Sequence, residues 1–113
     1  MSNEIKKWFY DILDSIKSIE EYIGEERLFE QYENDKKLRR AVEREIEIIG
    51  EAVNRINKEE PEIDISNAKQ IISTRNRVIH AYDAVNNAII WGIVINHLPK
   101  LKTEISQLLN ENI

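Results

Sequence analysis

Eight consecutive residues carry most of the chemistry in this chain: Arg75-Asn76-Arg77-Val78-Ile79-His80-Ala81-Tyr82. They bring together two guanidiniums, an amide, an imidazole and a phenol, with no acid among them. A planar guanidinium fork grips phosphate oxygens, and an imidazole moves a proton near neutral pH. The combination therefore suits phosphate chemistry. If the stretch is helical, each residue advances about 100°. Asn76 and His80 then share a face one turn apart, and Arg75 and Tyr82 lie two turns apart on a neighbouring face. Arg75 and His80 are separated by roughly 140° around the helix. They would flank a ligand or meet through a second subunit.

The elements that must position this stretch follow from apolar periodicity. Ser2 or Asn3 can cap a first helix, whose stripe of Ile5, Trp8, Phe9, Ile12, Ile16, Ile19 and Ile23 ends near Gly24. Leu28, Phe29 and Tyr32 predict a short helical turn. Asn34-Asp35 then caps a long helix carrying Leu38, Ala41, Val42, Ile46, Ile49, Ala52, Val53 and Ile56. Residues 57–64 form a polar linker containing Pro61, which stops the long helix. Ser66 can cap a helix running through Ala81, with Ile71, Ile72, Val78 and Ile79 inward, and a bend is expected at residues 82–85. Asn86 caps the last helix, which Pro99 should kink or restart. No segment alternates as a strand. The expected fold is all-α, an up-and-down four-helix bundle forming one domain over residues 1–113.

Gly50 lies inside the long helix, where glycine costs about 1 kcal/mol relative to alanine. Its presence predicts a close helix crossing, such as one across a dimer interface. Its neighbour Glu51 either faces solvent or orients Arg75.

Composition narrows the function classes. With no cysteine, a disulfide, a thiolate zinc site and a cysteine nucleophile are all excluded. No secretory leader is evident, and the most apolar run, residues 88–95, is too short to span a membrane. A cytoplasmic location is expected. Net charge is −5, yet residues 65–103 hold five basic side chains and one acid, a balance of +4 against −9 elsewhere. Such asymmetry focuses a polyanion onto one region, unless burial alone explains it.

A wider pattern surrounds the opening stretch. Ile48-Ile49-Gly50-Glu51-Ala52 lies upstream, Arg75-Asn76 and His80-x-Tyr82-Asp83 follow, and Trp91 precedes Leu98-Pro99-x-Leu101. This order and spacing resemble the HepT-like branch of the HEPN superfamily, with its Arg-x4-His-x-Tyr signature, from about Trp8 to Leu109. The sequence departs from that pattern at Ala81, where glycine is frequent, and in having no tryptophan near Ile65.

The resemblance implies a metal-independent endoribonuclease toxin, a HEPN-like bundle and no cofactor. His80 would act as base or acid, Arg75 would stabilise the phosphorane, Asn76 would hold the scissile phosphate or fix the imidazole tautomer, and Arg77 would support the phosphate. One histidine cannot conveniently serve both sides of one phosphorus, so a two-fold homodimer, or a higher even-numbered assembly, is expected. The implied partner is an MntA-type minimal nucleotidyltransferase antitoxin that attaches AMP to Tyr82.

Other readings stand beside this one. His80 could be a core or capping histidine at a helix C-terminus. The protein could be a non-catalytic module binding RNA, nucleotide or the nucleotidyltransferase. His97 reads as a surface or helix-kink residue, and Trp8 and Trp91 as core rather than base-stacking platforms.

Overall fold

A computed structural model describes residues 1–80 and 86–111. The described residues form helices and no strand. Helix α1 spans Asn3–Ile23, α2 Phe29–Asn34, α3 Lys36–Glu59, α4 Ala68–His80, α5 Asn87–Gly92 and α6 Leu98–Glu111. A π segment, Ile93–His97, joins α5 to α6.

The caps are where short polar side chains can reach free amides. Ser2 Oγ accepts from the Ile5 amide at 3.1 Å, and Asp35 Oδ1 accepts from that of Leu38 at 3.0 Å. Asn86 Oδ1 accepts from Ala88 and Ile89, at 2.8 and 3.2 Å. Gly24 ends α1 with φ of 68°, the left-handed conformation glycine adopts without penalty. Helix α4 starts later than Ser66 suggests. Asn67 takes φ of 61°, and the Ser66 amide donates across the fold to Glu104 Oε2 at 3.2 Å.

Helix α3 is the spine. It packs against α1 on one side and α4 on another, and α6 closes on α1. The core is made of the predicted stripes, including Ile5, Phe9, Ile12 and Ile16 from α1 with Ile46, Ile49, Val53 and Ile56 from α3. Ring stacking ties α5 to α2. Trp91 lies 5.3 Å from Tyr32 and 6.1 Å from Phe29, centroid to centroid.

One expectation on α4 changes. Ile79 is 37% exposed, and Thr74 joins Ile71 and Val78 in the buried face of α4. Ile79 lies one turn beyond Arg75 and lines the open grooves between α3 and α4 instead of the core. At Pro99 the last helix restarts, as expected: α6 begins at Leu98, directly after the π segment, and the Leu98 amide donates to the Ile93 carbonyl five residues back. Proline has no amide to give, and its ring crowds the carbonyl four residues before it. Widening the preceding turn relieves both problems. No helix among the described residues is long and apolar enough to cross a membrane.

Candidate active site on α4

Helix α4 presents its polar residues on two faces. Arg75 turns toward α3, with its side chain 21% exposed. Its Nη2 pairs with Glu51 Oε2, and its Nη1 donates to Asn76 Oδ1 at 2.9 Å. Glu51 is shared, since its Oε1 accepts from Arg55 Nε at 2.8 Å. The hydrogen bond from Arg55, aided by the charge of Arg75, holds the Glu51 carboxyl below the usual glutamate range despite partial desolvation. Glu51 therefore orients Arg75, which settles one of the two roles open to it from sequence.

Gly50 explains how α4 comes so close. A Cβ built there would lie 2.3 Å from Arg75 Cβ and 2.6 Å from its Cγ. Glycine is required because the stem of Arg75 occupies the space a side chain would fill. The close crossing is thus made by α4 of the same chain, not by a second copy. Gly50 provides no argument for a dimer.

The groove beside Arg75 has a volume of about 420 Å³ and runs between α1, α3 and α4. Its cations are all matched. Lys7 pairs with Asp11, Arg44 with Glu47, and Arg55 and Arg75 share Glu51. Trp8 lies half-buried in the same groove, with the Arg55 guanidinium 6.0 Å from its ring centroid.

His80 is the last residue of α4 and is exposed. It opens onto a different depression, of about 510 Å³, with Lys69, Ser73, Asn76 and Arg77. Asn76 and Arg77 are exposed there as well. No described cavity is lined by both Arg75 and His80. Asn76 joins the two sides, bonded to Arg75 and sharing the depression with His80. Tyr82 and the expected bend lie outside the described residues.

Some neighbours were not singled out from sequence as part of the site. Arg55 and Trp8 accompany Arg75 although they belong to other helices, and periodicity alone does not bring them there. Lys69 and Ser73 share the face of His80, a relation their spacing of four and eleven along α4 does contain.

Comparison with known proteins places the chain. The ribonuclease HepT-like family model matches residues 12–108. A candidate RNase of Methanocaldococcus jannaschii is 34% identical over 113 residues, covering 96% of this chain and 89% of the relative. The probable ribonuclease HepT of Thermococcus cleftensis is 35% identical over 112 residues, covering 96% of this chain and 98% of its own length. Among solved structures, a tri-AMPylated HEPN toxin of Shewanella oneidensis in complex with an MNT antitoxin is similar at a TM-score of 0.75. That likeness covers 97% of this chain and 99% of the toxin at 21% identity, and it speaks for the fold. The chain belongs to the ribonuclease HepT-like family and has the all-helical fold of a HEPN toxin.

Proposed function

We propose that the protein is an endoribonuclease toxin that cleaves RNA without a metal ion. RNA carries its own nucleophile. His80 takes the proton of a 2′-hydroxyl, the oxygen attacks the adjacent phosphorus, and the bond to the 5′-oxygen breaks. The products are a 2′,3′-cyclic phosphate and a 5′-hydroxyl, the latter formed when the leaving oxygen receives a proton. Arg75 stabilises the charge on the phosphorane oxygens, and Asn76 and Arg77 hold the phosphate.

The observation that carries this reading is the placement of Asn76. It links a guanidinium already aimed by Glu51 to the depression that His80 lines. Support also comes from the ribonuclease names of the relatives. Because Arg75 and His80 face different grooves within one chain, the reading includes a two-fold homodimer. Pairing two copies of α4 would supply the second imidazole.

The off-switch is proposed to be an MntA-type nucleotidyltransferase. The Tyr82 hydroxyl oxygen attacks the α-phosphorus of ATP, pyrophosphate leaves, and the phenolic proton is released. The new phosphodiester charge then competes with RNA phosphate for Arg75 or Arg77, and the nucleoside obstructs the approach to His80. The tri-AMPylated state of the Shewanella toxin supports this part.

The deciding experiment is RNA cleavage by wild type and His80→Ala with EDTA present. Cleavage by wild type alone, with cyclic-phosphate ends, is the expected result. Abolition by EDTA, or undiminished cleavage by His80→Ala, would falsify the mechanism. Binding of RNA without cleavage by wild type would select the non-catalytic module instead. For the switch, incubation with ATP and the cognate nucleotidyltransferase should add AMP-sized mass to the Tyr82 peptide, and Tyr82→Phe should lose it. Neutralisation that persists fully in Tyr82→Phe, with no added mass, would eliminate that part.

A further inference from the structure

A third groove, of about 560 Å³, lies between α4 and the π segment. Lys69, Ser73 and Arg77 line it from α4, and Asn96 and His97 from the π segment. The α4 residues recur at intervals of four, so they stack on one face. Asn76 and His80 continue that face, and Lys69, Ser73 and Arg77 also line the depression at His80. The two spaces therefore form one track along α4, about 16 Å from Lys69 to His80 at 1.5 Å per residue.

Two properties set this track apart from the groove at Arg75. First, its lining contains no carboxylate among the described residues. Second, neither Lys69 nor Arg77 has an ion-pair partner among the described residues. The chain is acidic overall, so an acid-free run of cations, hydroxyl and amide marks a place where a polyanion meets no repulsion. The π segment matters here. Its wider turn puts Asn96 and His97 across from α4, at a kind of helical irregularity frequent at functional sites.

We propose that the groove between α4 and the π segment is a phosphate track for the RNA strand flanking the cleaved bond, with Lys69 and His97 as substrate-positioning residues. The identity of the polyanion rests on the ribonuclease reading; the anion-binding character rests on the groove itself. Lys69 meets a phosphate remote from the one attacked. It contributes to strand affinity and salt dependence and leaves the chemical step alone. For single strands, each neutralised phosphate contributes about 0.7 to the slope of log K against log salt.

The test uses the full chain in a His80→Ala background, which keeps the RNA intact. Anisotropy of a fluorescein-labelled single-stranded RNA is followed over a salt series. Lys69→Gln should weaken binding several-fold and flatten the slope by about 0.7, and Lys69→Arg should restore both. Lys37→Gln, an exposed lysine outside the grooves, should change neither. In the otherwise wild-type protein, Lys69→Gln should raise KM for a long substrate at unchanged kcat. Unchanged affinity and slope in Lys69→Gln, or no salt-sensitive RNA binding by the parent, would overturn the track. A change in assembly size by light scattering in place of a change in affinity would also overturn it, assigning the face to contact between copies. The two readings fail separately. A protein that binds RNA through Lys69 yet never cleaves it keeps the track and loses the ribonuclease. One that cleaves with indifference to Lys69 does the reverse.

Discussion

The two sides of α4 are built on opposite principles. On the Arg75 side, α4 and α3 approach until only glycine fits, and each cation in the groove is matched by a carboxylate. On the His80 side, the cations have no carboxylate partner among the described residues, and Gly92 has nothing within 4 Å of where its Cβ would stand. One side is packed and charge-neutralised; the other is open and left with uncompensated charge. Close packing suits a residue that must be held still. An open face whose described lining holds no carboxylate suits groups that must meet a mobile polyanion. A single helix serves both because Arg75 and His80 project roughly 140° apart.

The largest expected effect separates chemistry from stability. His80→Ala should lower RNA cleavage by about 10²–10⁴-fold. The same change should leave unfolding free energy within about 0.5 kcal/mol, because His80 is exposed. Cleavage rates paired with urea denaturation check both halves. A large loss of stability would show that the open side is structural after all.

Next come the two glycines, whose substitutions should have opposite signs. Gly50→Ala forces α4 away from α3 and should cost about 1–3 kcal/mol, as overpacking does. It should also reduce cleavage by displacing Arg75. Gly92→Ala, at helical φ and ψ of −59° and −43°, should stabilise by up to about 1 kcal/mol. Equal effects in denaturant melts would erase the proposed difference between the sides.

Acid should act on the paired side. The pKa of Glu51 is held below the ordinary 4.5, chiefly by Arg55. As pH falls, the unfolded chain therefore binds this proton first. The contribution of Glu51 is complete above about pH 4.5 and is lost as pH drops through its folded-state value. Stability measured against pH should fall less steeply in Glu51→Gln over that acidic window. An identical slope would mean that the Glu51 pairs add nothing to folding.

The smallest effect is expected at the rim. Arg44 pairs with Glu47 at 3.0 Å but is 68% exposed, so Arg44→Gln should change stability by no more than about 0.5 kcal/mol. Thermal melts at low and high salt would show whether even that survives screening.

Much of this architecture was legible in the chain. The apolar stripes of α1 and α3 recur at threes and fours over many residues, and caps at Ser2, Asp35 and Asn86 stand where the periodicity begins. Gly50 announced a close approach, yet nothing in its surroundings named the partner. The Glu51–Arg75 pair spans 24 residues, and no local rule reaches that far. The π segment was half-legible. Pro99 called for a kink or restart, which α6 supplies at Leu98, but no local rule announced the widened turn over Ile93–His97.

By itself, then, the sequence determined the long helices, the caps at Ser2, Asp35 and Asn86 and the angular separation of Arg75 from His80, because these follow from local hydrogen bonding and a 3.6-residue period. Tertiary structure decided what stands opposite each residue. It set the stem of Arg75 on Gly50, aimed the guanidinium with Glu51, and ranged Asn96 and His97 against Lys69. Those relations depend on how whole helices pack, and packing is settled by the summed burial of residues far apart in the chain.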